Sequence, residues 1–289
     1  MKLRALYHTA KLLYCHPLAR RNRFASLSRM IRWQLSTRIH PLPTVIPYIE
    51  DTSLIVERGM HGATGNYYFG LHEFSDMSIL FHFLRPSDTF LDVGANIGSY
   101  TVLASGVCKA KSISLEPAPS TFEHLLKNIR HNSIGHLVTA YCCAAGQKID
   151  KTIFSIDRDT VNSIVDESFK GRTTVVHVTT LNHLLASHHP SIWKLDVEGH
   201  EYAVLMGASE VLFNPELNII ILEGNDSAVQ EILYKAGFSR AEYEPFSRQL
   251  SPVSSGHYPS LNMIWVRNWK HVQDRCSAGP TTSILGVKL

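Results

Sequence analysis

One stretch limits the fold more than any other: Thr89-Phe90-Leu91-Asp92-Val93-Gly94-Ala95-Asn96-Ile97-Gly98. The short apolar run Phe90 to Val93 suits a buried parallel strand. It breaks at a Gly-x-Asn-x-Gly turn. Gly94 and Gly98 lack a Cβ, so the backbone can bend sharply and a ligand can approach closely. Asn96, between them, is one of the few other residues that tolerates positive φ. A helical pattern follows, with Tyr100, Val102, Leu103 and Val107 as packing positions. Strand, glycine turn and helix N-terminus together make a nucleotide-type binding corner.

A second apolar strand, Ser112 to Leu115, ends in Glu116, 22 residues after Gly94. That matches the roughly 20-residue spacing of a carboxylate that takes ribose hydroxyls. The dinucleotide fingerprint G-x-G-x-x-G is not met, and no G-x-x-x-x-G-K-[ST] occurs, which argues against a phosphate cradle. The chain instead reads Asp92-x-Gly94-x-Asn96-x-Gly98, which resembles motif I of S-adenosylmethionine-dependent methyltransferases. The chemistry agrees. That cofactor carries a sulfonium and an ammonium and no pyrophosphate, so its site favours carboxylates and carbonyls.

The chain on either side alternates strands and helices, which implies a mostly parallel sheet. Leu54–Glu57 and Asn66–Phe69 read as a β-hairpin joined by a glycine-rich turn. Glu73–Leu84 reads as a helix, and so does Pro119–His131, with Phe122, Leu125, Leu126 and Ile129 on one face. Leu137–Cys143 reads as a strand, and Ala144-Ala145-Gly146 as a tight turn where an adenine could lie. Lys151–Ile156 and Thr174–Val178 are two further strands with Asn162-Ser163 between them. Ile192–Gly199 is a strand with its C-terminal turn, followed by a helix over Glu201–Leu212. Leu217–Glu223, a strand starting at Gly237-Phe238 and Asn262–Val266 complete the sheet. Cys276–Leu289 reads as a mobile tail.

Acids gather where these strands end. Asp196 and Glu198 follow one apolar run; Glu223, Asn225 and Asp226 end another. Ligands of open α/β sheets bind beyond the carboxyl ends of the strands. With Asp92 and Glu116 these residues form an acidic rim around one crevice. Asp226 precedes a helix and reads as its cap. Asp196 ends a buried strand beside the first one, so its carboxylate is expected to face the crevice.

Asp92–Thr101 (DVGANIGSYT), Glu116-Pro117-Ala118-Pro119 with Asn128 and Asn132 downstream, and Leu195–Glu201 (LDVEGHE) with Val204, Leu205, Gly207 and Ala208 resemble the FkbM family of S-adenosylmethionine-dependent methyltransferases. The resemblance covers about Ile55 to Gly224. It implies a class I, Rossmann-like α/β fold with a doubly wound, mostly parallel seven-stranded sheet. It also implies an O-methyltransferase acting on a hydroxyl of a sugar, glycan or related small molecule. One departure is Thr180-Leu181-Asn182, where the family has Thr-Leu-Asp. The expected cofactor contacts are Asp92, Gly94, Asn96, Gly98, Glu116, Ala145 and Asp196. An alcohol acceptor must lose a proton, and Asp196, Glu198 and His200 are the candidate bases. Asp196 with Glu223 and Asn225 forms an alternative Mg²⁺ site. No other metal ligands are assigned. The alternative to an enzyme is a non-catalytic cofactor-binding or partner protein on the same fold. The intact set Asp92, Gly94, Glu116 and Asp196 favours the enzyme.

Charge divides the chain. Residues 1–49 hold nine of the 28 basic residues and none of the 25 acidic ones. The remainder, with 19 basic residues against 25 acidic, argues against a nucleic-acid substrate. The expected division is a basic amphipathic extension over 1–48, a methyltransferase domain over 49–270 and a tail over 271–289. The extension reads as a helix packed on the domain or as a contact with an anionic membrane surface. Lys11 and His16 interrupt any apolar leader. Five cysteines without a C-x-x-C suit a reducing cytoplasm. The expected location is therefore cytoplasmic, or peripheral to the inner face of a membrane. The sequence leaves the oligomeric state open.

Overall fold

Alternating side chains dictate the layers. Along each central strand, successive apolar residues face opposite sides of the sheet. Phe90, Ile192, Ile219, Ile221 and Ile264 join one core; Leu91, Val93, Trp193, Leu195, Ile220 and Trp265 join the other. Both faces must be covered, and helices cover them. A computed structural model of the chain describes residues 14–39, 42–57, 59–157, 162–166, 168–253 and 262–289.

In chain order the described elements begin with helices α1 (Pro17–Arg21) and α2 (Arg23–Ile39). Strands β1 (Thr44–Pro47) and β2 (Ser53–Val56), then helices α3 (His61–Phe69) and α4 (Phe74–Phe83), follow. Next come β3 (Thr89–Val93), α5 (Ser99–Val102, continued by a π turn to Val107), β4 (Lys111–Leu115) and α6 (Pro119–His131). They lead to β5 (Val138–Tyr141), β6 (Ala144–Ala145), β7 (Asp150–Ser155), β8 (Thr173–Thr179) and α7 (Leu181–Leu184). The second half has β9 (Ile192–Leu195), α8 (Glu201–Met206), β10 (Ile219–Glu223) and α9 (Ser227–Lys235). Last come β11 (Ser239–Glu244), β12 (Gln249–Pro252), β13 (Asn262–Val266), α10 (Trp269–Ser277), β14 (Ser283–Ile284) and β15 (Val287–Lys288).

The main sheet has the order β12-β11-β13-β10-β9-β3-β4-β5. From β5 to β10 every pairing is parallel; β13, β11 and β12 add antiparallel pairings at one edge. This is the doubly wound, mostly parallel α/β fold that the sequence implies. It holds eight described strands rather than seven, because the chain turns back after β11 and pairs Gln249–Pro252 with it. The winding reverses between β3 and β9, so a crevice opens at their carboxyl ends.

Three local expectations are corrected. Residues 61–69 form helix α3, not a strand. The hairpin partner of β2 is β1, and residue 48 lies in the turn between them. The tail is docked: Ile284 and Leu289 enter the core, and Arg248 donates from Nη1 to the Gly279 carbonyl at 2.7 Å and from Nη2 to that of Pro280 at 3.0 Å. Pro17 starts helix α1, where its missing N–H costs nothing at a first turn. Residues 1–13, where the extension begins, lie outside the described residues. Among the described residues no helix is long and apolar enough to cross a membrane.

Candidate functional site

The turn after β3 is built on positive φ. Gly94 has φ 80° and Asn96 has φ 51°, and the Asn96 Oδ1 accepts the Ile97 N–H at 2.8 Å. A Cβ on Gly94 would lie 1.9 Å from the carbonyl oxygen of Asp196, so only glycine lets the β3 and β9 ends meet. Gly98 (φ 92°) caps α5, and a Cβ there would meet Leu125 Cδ1 at 2.6 Å. Asn128 on α6 steadies the loop: its Nδ2 donates to the Ile97 carbonyl at 2.8 Å while its Oδ1 accepts the Ile55 N–H at 2.7 Å. Asn132 ties β2 down similarly through Ser53.

Glu116 leaves β4 with both oxygens engaged. One accepts the Asn96 N–H at 2.9 Å and the other the Ala118 N–H at 2.9 Å. Burial pushes its carboxyl up to about 7; the two N–H groups pull it down, and Asp92 and Asp196 push it up again.

Strand register creates a polar floor. Asp92 and Lys194 are direct partners across β3 and β9, on the face covered by α4 and α5. Lys194, only 4 % exposed, donates to Asp196 Oδ2 at 2.6 Å and lies 4.7 Å from the centre of the Tyr100 ring. Burial opposes its charge, but Asp196, Glu73 and Asp92 outweigh burial and raise its pKa. Tyr100 donates to Glu73 at 2.7 Å, and Asn262 Nδ2 bridges Glu73 (2.8 Å) and Asp76 (2.9 Å). Burial pushes Asp76 up to about 7, reinforced by Glu73. Glu73 itself is lowered: Lys194 and its hydrogen bonds overcome burial. Asp92, buried and accepting from Thr101 at 2.7 Å, is pushed by burial up to about 6 against the pull of Lys194.

Above this floor lies a cavity of about 340 Å³, within the usual size of a small-molecule site. Asp92, Gly94, Asn96, Glu116, Ala145, Asp196, Glu198 and His200 all line it. Gly98 is absent from the lining and acts through packing and the cap. Cys143, Ala144, Ala145 and Phe154 form an apolar wall from the β5–β7 side. Asp196, Glu198 and Glu223 form an acidic end from β9 and β10, with one ligand atom of each within 4.8 Å of the others. Burial and mutual repulsion from Glu223 and Asp196 push Glu198 up to about 7, and Glu223 is likewise raised. Asn225, expected in a metal site, is exposed, with its Oδ1 taken by Gln230 at 2.6 Å; Glu198 stands in its stead. Clustered acids are common without an ion. Asp226 caps α9 through the Ala228 N–H at 2.7 Å, as expected. His200 Nε2 lies 3.3 Å from the Ile164 carbonyl, which can only accept, so that nitrogen carries the proton.

The sequence reading missed Lys194, Glu73, Asp76, Tyr100 and Asn262. For Lys194 a signal existed: one lysine inside the apolar run Ile192-Trp193-Lys194-Leu195, with an acid directly after it. A buried lysine needs an anion, and Asp196 is that anion.

A family model described as the methyltransferase FkbM domain matches residues 92–242. The chain belongs to the FkbM methyltransferase family. The matched span takes in the glycine turn, Glu116 and all three acids of the β9 and β10 ends. Among curated relatives, the hexuronic acid methyltransferase AglP of Haloferax volcanii is 29 % identical over 48 % of this FkbM chain and 56 % of its own length. The methyltransferase sdnD of Sordaria araneosa is 26 % identical over 55 % of this chain and 79 % of its own. The chain thus spans little more than half of AglP. Among solved structures, a methyltransferase FkbM of Methylobacillus flagellatus is similar over 70 % of this chain and 52 % of its own, at 16 % identity and a TM-score of 0.45. A precorrin-6y C5,15-methyltransferase of Geobacter metallireducens is similar over 68 % of this chain and 88 % of its own, at 14 % identity and a TM-score of 0.40.

Proposed function

We propose that this chain transfers a methyl group from S-adenosylmethionine to a hydroxyl of a neutral sugar or related small molecule. One observation carries the reading: the Gly94 turn, Glu116 and Asp196 open onto a single cavity with an apolar wall and an acidic end. The residues fit the cofactor on their own chemistry. Each Glu116 oxygen accepts one backbone N–H, which leaves lone pairs for ribose hydroxyls. Ala144, Ala145 and Phe154 offer an apolar surface suited to an adenine ring. Asp92 and Asp196 suit its cationic groups. When bound, S-adenosylmethionine supplies an electrophilic methyl on a cationic sulfur.

The chain's own groups then bind, orient and take a proton. Lys194 fixes the Asp196 carboxylate by a 2.6 Å ion pair and so aims it. Held that way, the Asp196 carboxylate faces the cavity as an electrostatic partner for a cation. Glu198, pushed up to about 7, is matched to accept a hydroxyl proton near neutral pH. His200 is the next candidate, through Nδ1, since Nε2 is engaged by the Ile164 carbonyl. Orientation contributes up to ~7–11 kcal/mol, and a positioned base roughly 10²–10⁴-fold.

Family membership and the AglP relative support a sugar acceptor. The acidic end argues for a neutral one, because a uronate would face Asp196, Glu198 and Glu223 together. Methyl-labelled cofactor offered with neutral glycosides and with uronides tests this. Label is expected in neutral sugars as an alkali-stable ether. Label released by alkali as an ester would overturn the reading. Tight cofactor binding with no transfer to any sugar would favour the non-catalytic alternative.

A further inference from the structure

Helix α2 carries two unlike apolar faces. Ser26, Trp33 and Thr37 are buried against the body, with Met30 packed beside them. On the opposite side Phe24, Leu27, Ile31, Leu35 and Ile39 recur at steps of three and four residues, which aligns them in one stripe. Each of the five is between 40 % and 87 % exposed. Single exposed apolar residues are ordinary, but a stripe about 22 Å long on a surface helix is not. Arg23, Arg32 and Arg38, all exposed, lie on the same helix, and the exposed Arg20 and Arg21 directly precede it. No acidic residue occurs before Glu50.

The charge decides what covers the stripe. A second copy would set two positive rims against each other. An anionic lipid surface complements both features, with apolar side chains at the acyl boundary and arginines among the headgroups. We infer that α2 docks the protein in the plane of an anionic membrane surface. The mount is firm: the Trp33 ring lies 5.9 Å from that of Tyr67, and Arg29 donates to the Tyr68 carbonyl at 2.9 Å. Tyr67 and Tyr68 belong to α3, which also gives Gly62, Ala63 and Asn66 to the cavity lining. The cavity is therefore one helix away from the docked surface.

Co-sedimentation of the full chain with vesicles tests the inference, using phosphatidylcholine alone and phosphatidylcholine with phosphatidylglycerol in equal parts. Binding to the anionic vesicles is expected to be roughly tenfold or more tighter and to weaken as salt rises. The triple variant Leu27→Ser, Ile31→Ser, Leu35→Ser is expected to lose about tenfold or more in partitioning. The variant Arg20→Gln, Arg32→Gln, Arg38→Gln alters no apolar side chain, so it gives an independent reading, and its preference for anionic vesicles is expected to fall. Absence of vesicle binding, equal binding to both vesicle types, or unchanged binding by folded triple variant would overturn the proposal. So would a vesicle-free dimer that the triple variant splits, which would assign the stripe to a second copy.

Discussion

Lys194 is buried among Glu73, Asp92 and Asp196, so removing its ammonium leaves these carboxylates without their shared partner. Breaking a buried pair costs several kcal/mol. Asp196 is about one-third exposed, so water offsets part of that cost. Lys194→Met is expected to destabilise the fold by about 3 kcal/mol in urea unfolding. A loss below about 0.5 kcal/mol would mean that the floor repacks without the charge. Glu116 allows a sharper test. Its carboxyl is pushed up to about 7 in the ligand-free protein, so it is largely protonated below that pH and ionised above it. Only the ionised form accepts from two ribose hydroxyls at once. Calorimetric affinity for S-adenosylhomocysteine is therefore expected to rise as pH passes upward through about 7. Glu116→Gln is expected to flatten that rise and to weaken binding by about 1.5–3 kcal/mol for one charge-assisted bond. The acid and the glycines were legible in the sequence because their spacing is local. Lys194 left a local signal, a lysine in an apolar run; Glu73, Asp76, Tyr100 and Asn262 left none, because helix packing and strand register bring them to it from distant parts of the chain.

At the scale of elements, the site depends on how closely two strand ends approach. The turn after β3 touches the backbone after β9, and Gly94 is the contact. Gly199, after the same β9, has a similar positive φ of 90° but nothing within 4 Å of where a Cβ would be. The two glycines separate backbone strain from steric contact. Gly199→Ala is expected to cost only about 1–2 kcal/mol, the left-handed penalty. Gly94→Ala is expected to cost more and to abolish S-adenosylhomocysteine binding, because the strand ends must part. Equal melting temperatures and retained binding in both variants would remove the close approach from the account. Strand ends were legible because apolar runs stopped at acids. Helix α3 was not, since Tyr67-Tyr68-Phe69 has strand propensity and Gly62 and Gly65 look like a turn. Its helical form depends on cover: α2 on one side, and Ala95 and Ile97 of the glycine turn in the same cluster. Strand β12 was hidden because Gln249–Pro252 is a polar edge with no apolar alternation.

At the scale of the whole molecule, the basic N-terminal region and the domain share one core. His16 Nε2 donates to the Leu71 carbonyl at 2.7 Å, and its ring stacks on Phe69 at 4.8 Å. Burial lowers its pKa to about 4, so near neutral pH it is an uncharged connector and not a surface cation. Leu18, Ala19 and Trp33 are buried with Tyr68, Phe69 and Phe74. A charge census treats the region as separate; its buried residues do not. Removing residues 1–43 keeps the β1–β2 hairpin but uncovers the outer side of α3, whose inner side walls the cavity. Exposing several large side chains costs a few kcal/mol, or about 5–10 °C in melting temperature for a chain of this size. The truncated protein is expected to melt lower by about that amount and to bind S-adenosylhomocysteine more weakly, because α3 loses the support that holds Ala63 and Asn66 at the cavity. Differential scanning calorimetry with ligand titration reads both effects. An unchanged melting temperature with unchanged affinity would show that α1 and α2 are an appendage that neither stabilises the domain nor shapes the cavity.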